Sequence, residues 1–146
     1  MIVAVDASVL IKWYIPEAYS EPALEFRDWV LKGHHKIAAP SYLLVETTNV
    51  LWKKTVLLKE LKSGEAHGIL REVQKLQVHF IPDGLLLEDT LATGIQDHVS
   101  VYDALYLAAA KRFGSFLMTA DRELVRRGGH TDKVIHINEW KKVKNG

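Results

Sequence analysis

Ile2-Val3-Ala4-Val5-Asp6-Ala7-Ser8 runs four apolar residues straight into an aspartate, followed closely by a small hydroxyl residue. An apolar run without alternation reads as a strand buried on both faces, hence the interior of a parallel sheet. Open α/β sheets bind ligands beyond the carboxyl ends of their strands, so Asp6 is expected at an edge that water and ligands can reach. The rest of the chain is read for carboxylates that arrive at the same edge.

A second stretch repeats the pattern. Ser115-Phe116-Leu117-Met118-Thr119 reads as a strand and stops at Ala120-Asp121. Three further strands are expected at Ile37–Ala39 (cut by Pro40), Val78–Ile81 and Val134–Ile137. Helical stretches separate them. A short one runs from Ser8, a candidate N-cap, to Tyr14. The next spans Ser20–Lys32, with Ser20 as cap and Gly33 as stop. A long helix from Ser41 to about Val56 packs on Leu43, Leu44, Thr47, Val50 and Leu51. Ser63 is expected to cap a helix through Leu76, and a mixed-polarity helix covers Leu85–Ile95. Ser100 then caps an apolar, buried helix that starts at Val101 and ends at Gly114. A last short helix, Arg122–Arg127, precedes Gly128-Gly129, and Lys141 to Gly146 is a basic tail. Strands alternating with helices predict a single-domain three-layer α/β/α sandwich, with a mainly parallel central sheet of about five strands.

The chain has 146 residues, 48% apolar and 25% charged, with a net charge of +1. These are ordinary globular values, and no whole-molecule field points to a polyanion. No cysteine is present, which removes disulfides, thiolate nucleophiles and cysteine-based metal sites. With no signal-peptide pattern and no apolar run near the ~20 residues of a membrane span, a cytoplasmic protein without membrane attachment is expected.

Four acids stand at element ends or on a helix flank: Asp6, Glu46, Asp103 and Asp121. Each has a local structural role open to it. Asp121 can cap the helix after its strand, and Asp103 stands at the third position of its helix, where an acid suits the dipole. Glu46 can be a solvated helix residue and Asp6 a turn residue. Together they read differently. Asp6 and Asp121 end two central parallel strands and face one crevice, and no lysine or arginine is placed to pair with them. Carboxylates gathered in this way repel, and a divalent cation relieves the repulsion. All-oxygen ligands suit Mg²⁺ or Mn²⁺. Such a site points to phosphoryl chemistry, with a water activated by the ion as nucleophile. Ser8, Asn49 and Thr119, two or three positions from the acids, are expected to orient waters or the carboxylates.

Asp6-Ala7-Ser8 after the first strand, Glu46-Thr47-Thr48-Asn49 on a helix, Tyr102-Asp103-Ala104-Leu105-Tyr106-Leu107-Ala108, and Thr119-Ala120-Asp121 occur in an order that resembles PIN-domain ribonucleases. The likeness is greatest to the VapC-type toxins of prokaryotic toxin–antitoxin pairs, and it spans nearly the whole chain. The resemblance implies a metal-dependent endoribonuclease using Asp6, Glu46, Asp103 and Asp121. It also implies a homodimer, held inactive by a cognate antitoxin whose C-terminal segment enters the active-site groove. Glu123, two residues after the last aspartate, matches a position often acidic in the family and ranks below the four, reaching the ion through water.

Other readings fit less well. A haloacid-dehalogenase-type phosphatase needs a second aspartate where Ser8 stands, and a response-regulator receiver needs an acidic pair and a late lysine that are missing. No glycine-rich phosphate loop occurs, and the seven histidines are scattered without zinc-ligand spacing. A catalytically idle PIN-like module that binds RNA or a partner remains the rival of a different class, and a DNA-directed nuclease the enzymatic one. Lys53, Lys54, Arg112, Arg122, Arg126 and Arg127 are candidates for RNA phosphates, and Trp13, Tyr14 and Tyr102 for unpaired bases, with Trp13 better suited to the core or a dimer interface.

Overall fold

The computed structural model describes residues 1–128 and 133–145. Gly129 and Gly146, which the sequence assigns to a glycine pair and to the basic tail, lie outside them. Five strands form one sheet: β1 (Ile2–Val5), β2 (Lys36–Pro40), β3 (Val78–Ile81), β4 (Leu117–Thr119) and β5 (Val134–His136). Every pairing is parallel and the order is β3-β2-β1-β4-β5. The chain leaves β1 toward β2 and β3, then returns to the other side of β1 to lay down β4 and β5. The reversal falls between β1 and β4, where a doubly wound sheet opens its ligand crevice.

The composition of these strands follows from their burial. Val3, Ala4 and Val5 are fully buried, as are Ala38 and Ala39 of β2 and Met118 of β4, so neither face calls for polar residues and no alternation is needed. Pro40 ends β2 inside the sheet, where its missing N–H falls at the strand's last position.

Helices flank the sheet: α1 (Ala7–Leu10), α2 (Ser20–Lys32), α3 (Tyr42–Trp52), α4 (Ser63–Gln74), α5 (Leu87–Asp97), α6 (Val101–Arg112), α7 (Arg122–Arg127) and α8 (Lys141–Lys144). Phe26 and Val30 of α2 and Tyr106 and Ala110 of α6 join the strand residues in the main core. Each large apolar side chain buried there contributes roughly 1.5–3 kcal/mol. The small residues Ala104, Ala108, Ala109 and Ala110 let α6 lie close against its neighbours.

Several expected boundaries shift for local reasons. The first helix splits into α1 and a 3-10 turn, Ile11–Trp13. The helix expected to reach Val56 stops at Trp52 and continues as a π-helical turn, Lys53–Leu57, which swings Lys54 inward. Ser20 does not cap α2. Tyr19 holds that position with φ 65°, while the Ser20 hydroxyl accepts from the Glu17 N–H and donates to the Ile15 carbonyl. Ser63 lies inside α4, whose start is closed by the Glu65 carboxylate accepting from the Lys62 N–H. The helix expected at Leu85–Ile95 begins two residues later and runs to Asp97, after a 3-10 turn over Asp83–Leu85. Gly114, at φ 60°, supplies the left-handed residue between α6 and β4, as its position suggests.

Candidate active site

The chain passes from β1 into α1 across one residue. Asp6, extended at φ −101° and ψ 176°, is therefore the N-cap, its Oδ1 accepting from the Val9 N–H at 3.2 Å. The sequence points to Ser8 for that cap, and the structure corrects it. Ser8 is one residue inside the helix, and its hydroxyl donates to Asp6 Oδ1 at 2.6 Å while accepting from the Ala120 N–H at 2.9 Å. Thr119, fully buried at the end of β4, donates to Asp6 Oδ2 at 2.5 Å and accepts from the Asp121 N–H at 3.0 Å. Two hydroxyls thus tie the ends of β1 and β4 together across the crevice. Burial pushes the Asp6 carboxyl up to about 6; the bonds from Ser8, Thr119 and Val9 oppose this, and the Asp103 charge adds to it.

Glu46 projects from α3, half-buried, and its Oε2 accepts from the Tyr106 hydroxyl at 3.2 Å. Burial and the Asp6 charge, with Asp103 behind them, push it up to about 7 against the Tyr106 bond and Lys53. Asp103 lies in the first turn of α6, where the Ser100 hydroxyl caps its N–H at 3.2 Å. Burial raises its pKa, and so does the charge of Asp121. Asp121 caps α7, its Oδ1 accepting from the N–H groups of Glu123 at 2.9 Å and Leu124 at 3.3 Å. The capping bonds of Asp121 use Oδ1 alone, so the local role leaves its Oδ2 free of the cap.

The four acids are therefore in electrostatic contact as a series, Glu46 to Asp6 to Asp103 to Asp121. Among the described residues, no three or more histidine, aspartate or glutamate side chains are grouped as they stand so as to hold a metal ion. The site is an open mouth of carboxylates.

The lesser candidates scatter. Asn49 is exposed one turn beyond Glu46. Glu123 forms ion pairs with Arg126 and Arg127, which hold its carboxyl down at about 2. Of the candidate RNA-binding cations, Lys53 and Arg112 are exposed, and Arg122 donates to the Tyr19 hydroxyl at 3.0 Å. Lys54 is not at the surface: the π-helical turn buries it against Glu17 at 3.0 Å and Glu60 at 3.2 Å. Trp13 is core, as expected, whereas the first turn of α6 is more open than its composition implies, with Val101 and Tyr102 exposed.

Two supporting residues give no signal in the sequence. Tyr106 reads as one more apolar helix residue, yet its hydroxyl serves Glu46. His136, buried at the end of β5, accepts from the Asn138 N–H at its Nδ1 (3.1 Å). A backbone N–H can only donate, so the ring proton sits on Nε2 and is donated to the Ala120 carbonyl at 3.2 Å. Ala120, the residue before Asp121, is thereby held at its N–H by Ser8 and at its carbonyl by His136.

A family model for the PIN domain matches residues 3–129. The chain belongs to the PIN-domain family. This PIN domain is 35% identical over 133 residues to Ribonuclease VapC3 of Pyrobaculum aerophilum, covering 87% of the chain and 95% of that protein. Its fold matches the crystal structure of PAE2754 from Pyrobaculum aerophilum with a TM-score of 0.70 and 22% identity, over 100% of this chain and 91% of that one. It also matches a toxin–antitoxin complex from Klebsiella pneumoniae (TM-score 0.58, 16% identity, 92% and 97% covered). A third match is VapBC2 from Rickettsia felis bound to a promoter DNA fragment (TM-score 0.60, 13% identity, 93% and 97% covered).

Proposed function

We propose that this PIN domain is the endoribonuclease of a toxin–antitoxin pair, hydrolysing RNA phosphodiester bonds with Mg²⁺ or Mn²⁺ held by Asp6, Glu46, Asp103 and Asp121. The likeness to Ribonuclease VapC3 over nearly the full chain supports the substrate class. What carries the metal is the electrostatics of the mouth. Burial pushes Asp6 and Glu46 up and the neighbouring carboxylates push them further; hydrogen bonds from Ser8, Thr119, Val9 and Tyr106 oppose this, and Lys53 tempers Glu46 by its charge. An all-carboxylate donor set suits a small hard ion that keeps several of its own waters.

When bound, such an ion supplies Lewis acidity toward the scissile phosphate and makes a water acidic enough to attack at neutral pH. The residues of the chain do the rest. Ser8 and Thr119 hold Asp6 in one rotamer, Tyr106 holds Glu46, and Ser100 fixes the turn that carries Asp103. With the carboxylates fixed before substrate arrives, little reorganisation is left for the reaction itself. The same bonds favour ionised carboxylates, which is the form that binds a cation.

Protein partners have two faces to cover. Leu87, Leu91 and Ile95 form an exposed apolar stripe on α5, suited to a second copy of the chain. Val45, Trp52 and Val56 form another along α3 and its π-helical extension, beside a groove lined by Ala66, His67 and Leu70 of α4.

The test is cleavage of a panel of structured RNAs with Mn²⁺, with Mg²⁺ and with EDTA, comparing the wild type to Asp103→Asn. Metal-dependent cuts that fall about a hundredfold or more in the variant are expected. Cleavage that persists in EDTA, or in the variant, refutes the four-acid mechanism.

A further inference from the structure

The tyrosines around the mouth are arranged as a graded series. Tyr106 is 1% exposed and serves Glu46. Tyr42, in the first turn of α3, is partly buried, with its ring 6.3 Å from Tyr106. Tyr102, in the first turn of α6, is 61% exposed, with its ring 5.4 Å from Tyr42 at 31°. These three rings bridge the helix that carries Glu46 and the helix that carries Asp103. Tyr102 immediately precedes Asp103, and Tyr42 precedes Glu46 by one turn.

The support beneath Tyr102 is itself fixed. The Tyr42 N–H donates to Asp83 Oδ1 at 3.0 Å, and the Asp83 N–H donates in return to the Ser41 hydroxyl at 3.1 Å. The Tyr102 ring therefore leans on a braced neighbour and leaves its outer surface open at the rim. An aromatic ring this exposed has no folding role that needs its outer face bare. A flat face beside a phosphodiester-cleaving mouth fits a flat ligand group.

Resting on the ribonuclease reading, we propose that Tyr102 is a stacking platform for an unpaired RNA base flanking the scissile phosphate, with Tyr42 as its backing. Every base offers a π-face, and stacking on a tyrosine is tolerant of sequence. A base inside an A-form duplex is stacked on its neighbours and cannot reach the ring. The platform therefore selects single-stranded segments and loops over duplex, and it positions the backbone without touching the metal ligands.

The experiment uses the full chain carrying Asp6→Asn to prevent cleavage, and a short single-stranded RNA with 2-aminopurine at successive positions. Binding should quench the fluorophore at one position, and the same RNA annealed to its complement should bind more weakly. Adding Tyr102→Ala should weaken single-strand binding roughly 5- to 100-fold and abolish the quench, while Tyr102→Phe keeps both. Metal-induced thermal stabilisation, measured in proteins with Asp6 intact, should be the same in the wild type and in Tyr102→Ala. Unchanged affinity and quench in Tyr102→Ala overturn the platform. So does a change of sedimentation in that variant, which would make the ring a protein interface. If the parent protein binds no RNA of either form, the ribonuclease reading itself fails and takes the platform with it.

Discussion

Glu17 and Asp6 are both carboxylates withdrawn from water, and they are treated in opposite ways. Glu17 receives Lys12 at 2.8 Å on one oxygen and Lys54 at 3.0 Å on the other, and both lysine side chains are nearly buried. Burial pushes Glu17 up, but the two ammonium groups outweigh it and leave the carboxyl below its ordinary value. Asp6 receives two hydroxyls and a backbone N–H, no cation among the described residues, and the Asp103 charge besides, and it is pushed up to about 6. The chain can bury lysines and place them on a carboxylate, and it does so away from the mouth. Asp6 is left with charge that no lysine among the described residues balances, which suits the cation proposed for the mouth.

The largest effect that would break this contrast is on stability. Glu17→Gln leaves the buried Lys12 ammonium without a counter-charge, and a loss of about 3 kcal/mol in urea unfolding is expected. Asp6→Asn, which removes a charge that has no cationic partner, should leave metal-free stability unchanged or higher. If both variants lose the same amount, the two carboxylates are not opposites.

Acid should separate them next. Asp6 and Glu46 have folded pKa values above their unfolded ones, so the native state binds their protons more tightly. Their contribution is then most favourable below about pH 4 and fades as pH rises to about 6 and 7 respectively, by roughly 3 kcal/mol for the buried Asp6. Glu17 has the opposite sign: its contribution is present above its unfolded pKa and is lost as pH falls. Metal-free unfolding from pH 4 to 7 should therefore show the wild type losing stability relative to an Asp6→Asn, Glu46→Gln double variant. Parallel curves would refute the raised pKa values of the two buried carboxyls.

The smallest expected effect sharpens the picture of the mouth. Tyr106→Phe removes one hydroxyl from Glu46 and leaves the ring in the core. The metal concentration for half-maximal thermal stabilisation should rise about tenfold, with little change in the metal-free melting temperature. An unchanged midpoint would mean that Glu46 needs no support from α6.

These contrasts also mark where the sequence can be read. β1 and β4 are visible because a strand buried on both faces is apolar at every position, and each run ends on an aspartate. The parallel sheet, Asp6 and Asp121 follow from that, whereas Glu46 and Asp103 lie on helices and are picked out by their place on them. Ser8 misleads because a serine before an apolar run looks like a cap, while the residue that caps lies two positions earlier and the N–H that claims the Ser8 hydroxyl lies across the sheet at Ala120. Lys54 looks like a surface cation because nothing in Lys53-Lys54 announces a π-helical turn, and its partner Glu17 is 37 residues away. Tyr106 and His136 stay hidden for the same reason: their bonds run to partners 60 and 16 residues away, and helical or strand periodicity records only which way a residue faces.

The sheet order carries one more consequence, for how the protein is made. Asp6 is translated 113 residues before the Thr119 hydroxyl that holds it. β1 lies at the centre of the sheet and stays open along one edge until β4 has emerged. A nascent chain that already contains Asp6, Glu46 and Asp103 thus lacks the strand that completes the crevice. The nascent chain carries an unfinished crevice that closes only once β4 has emerged.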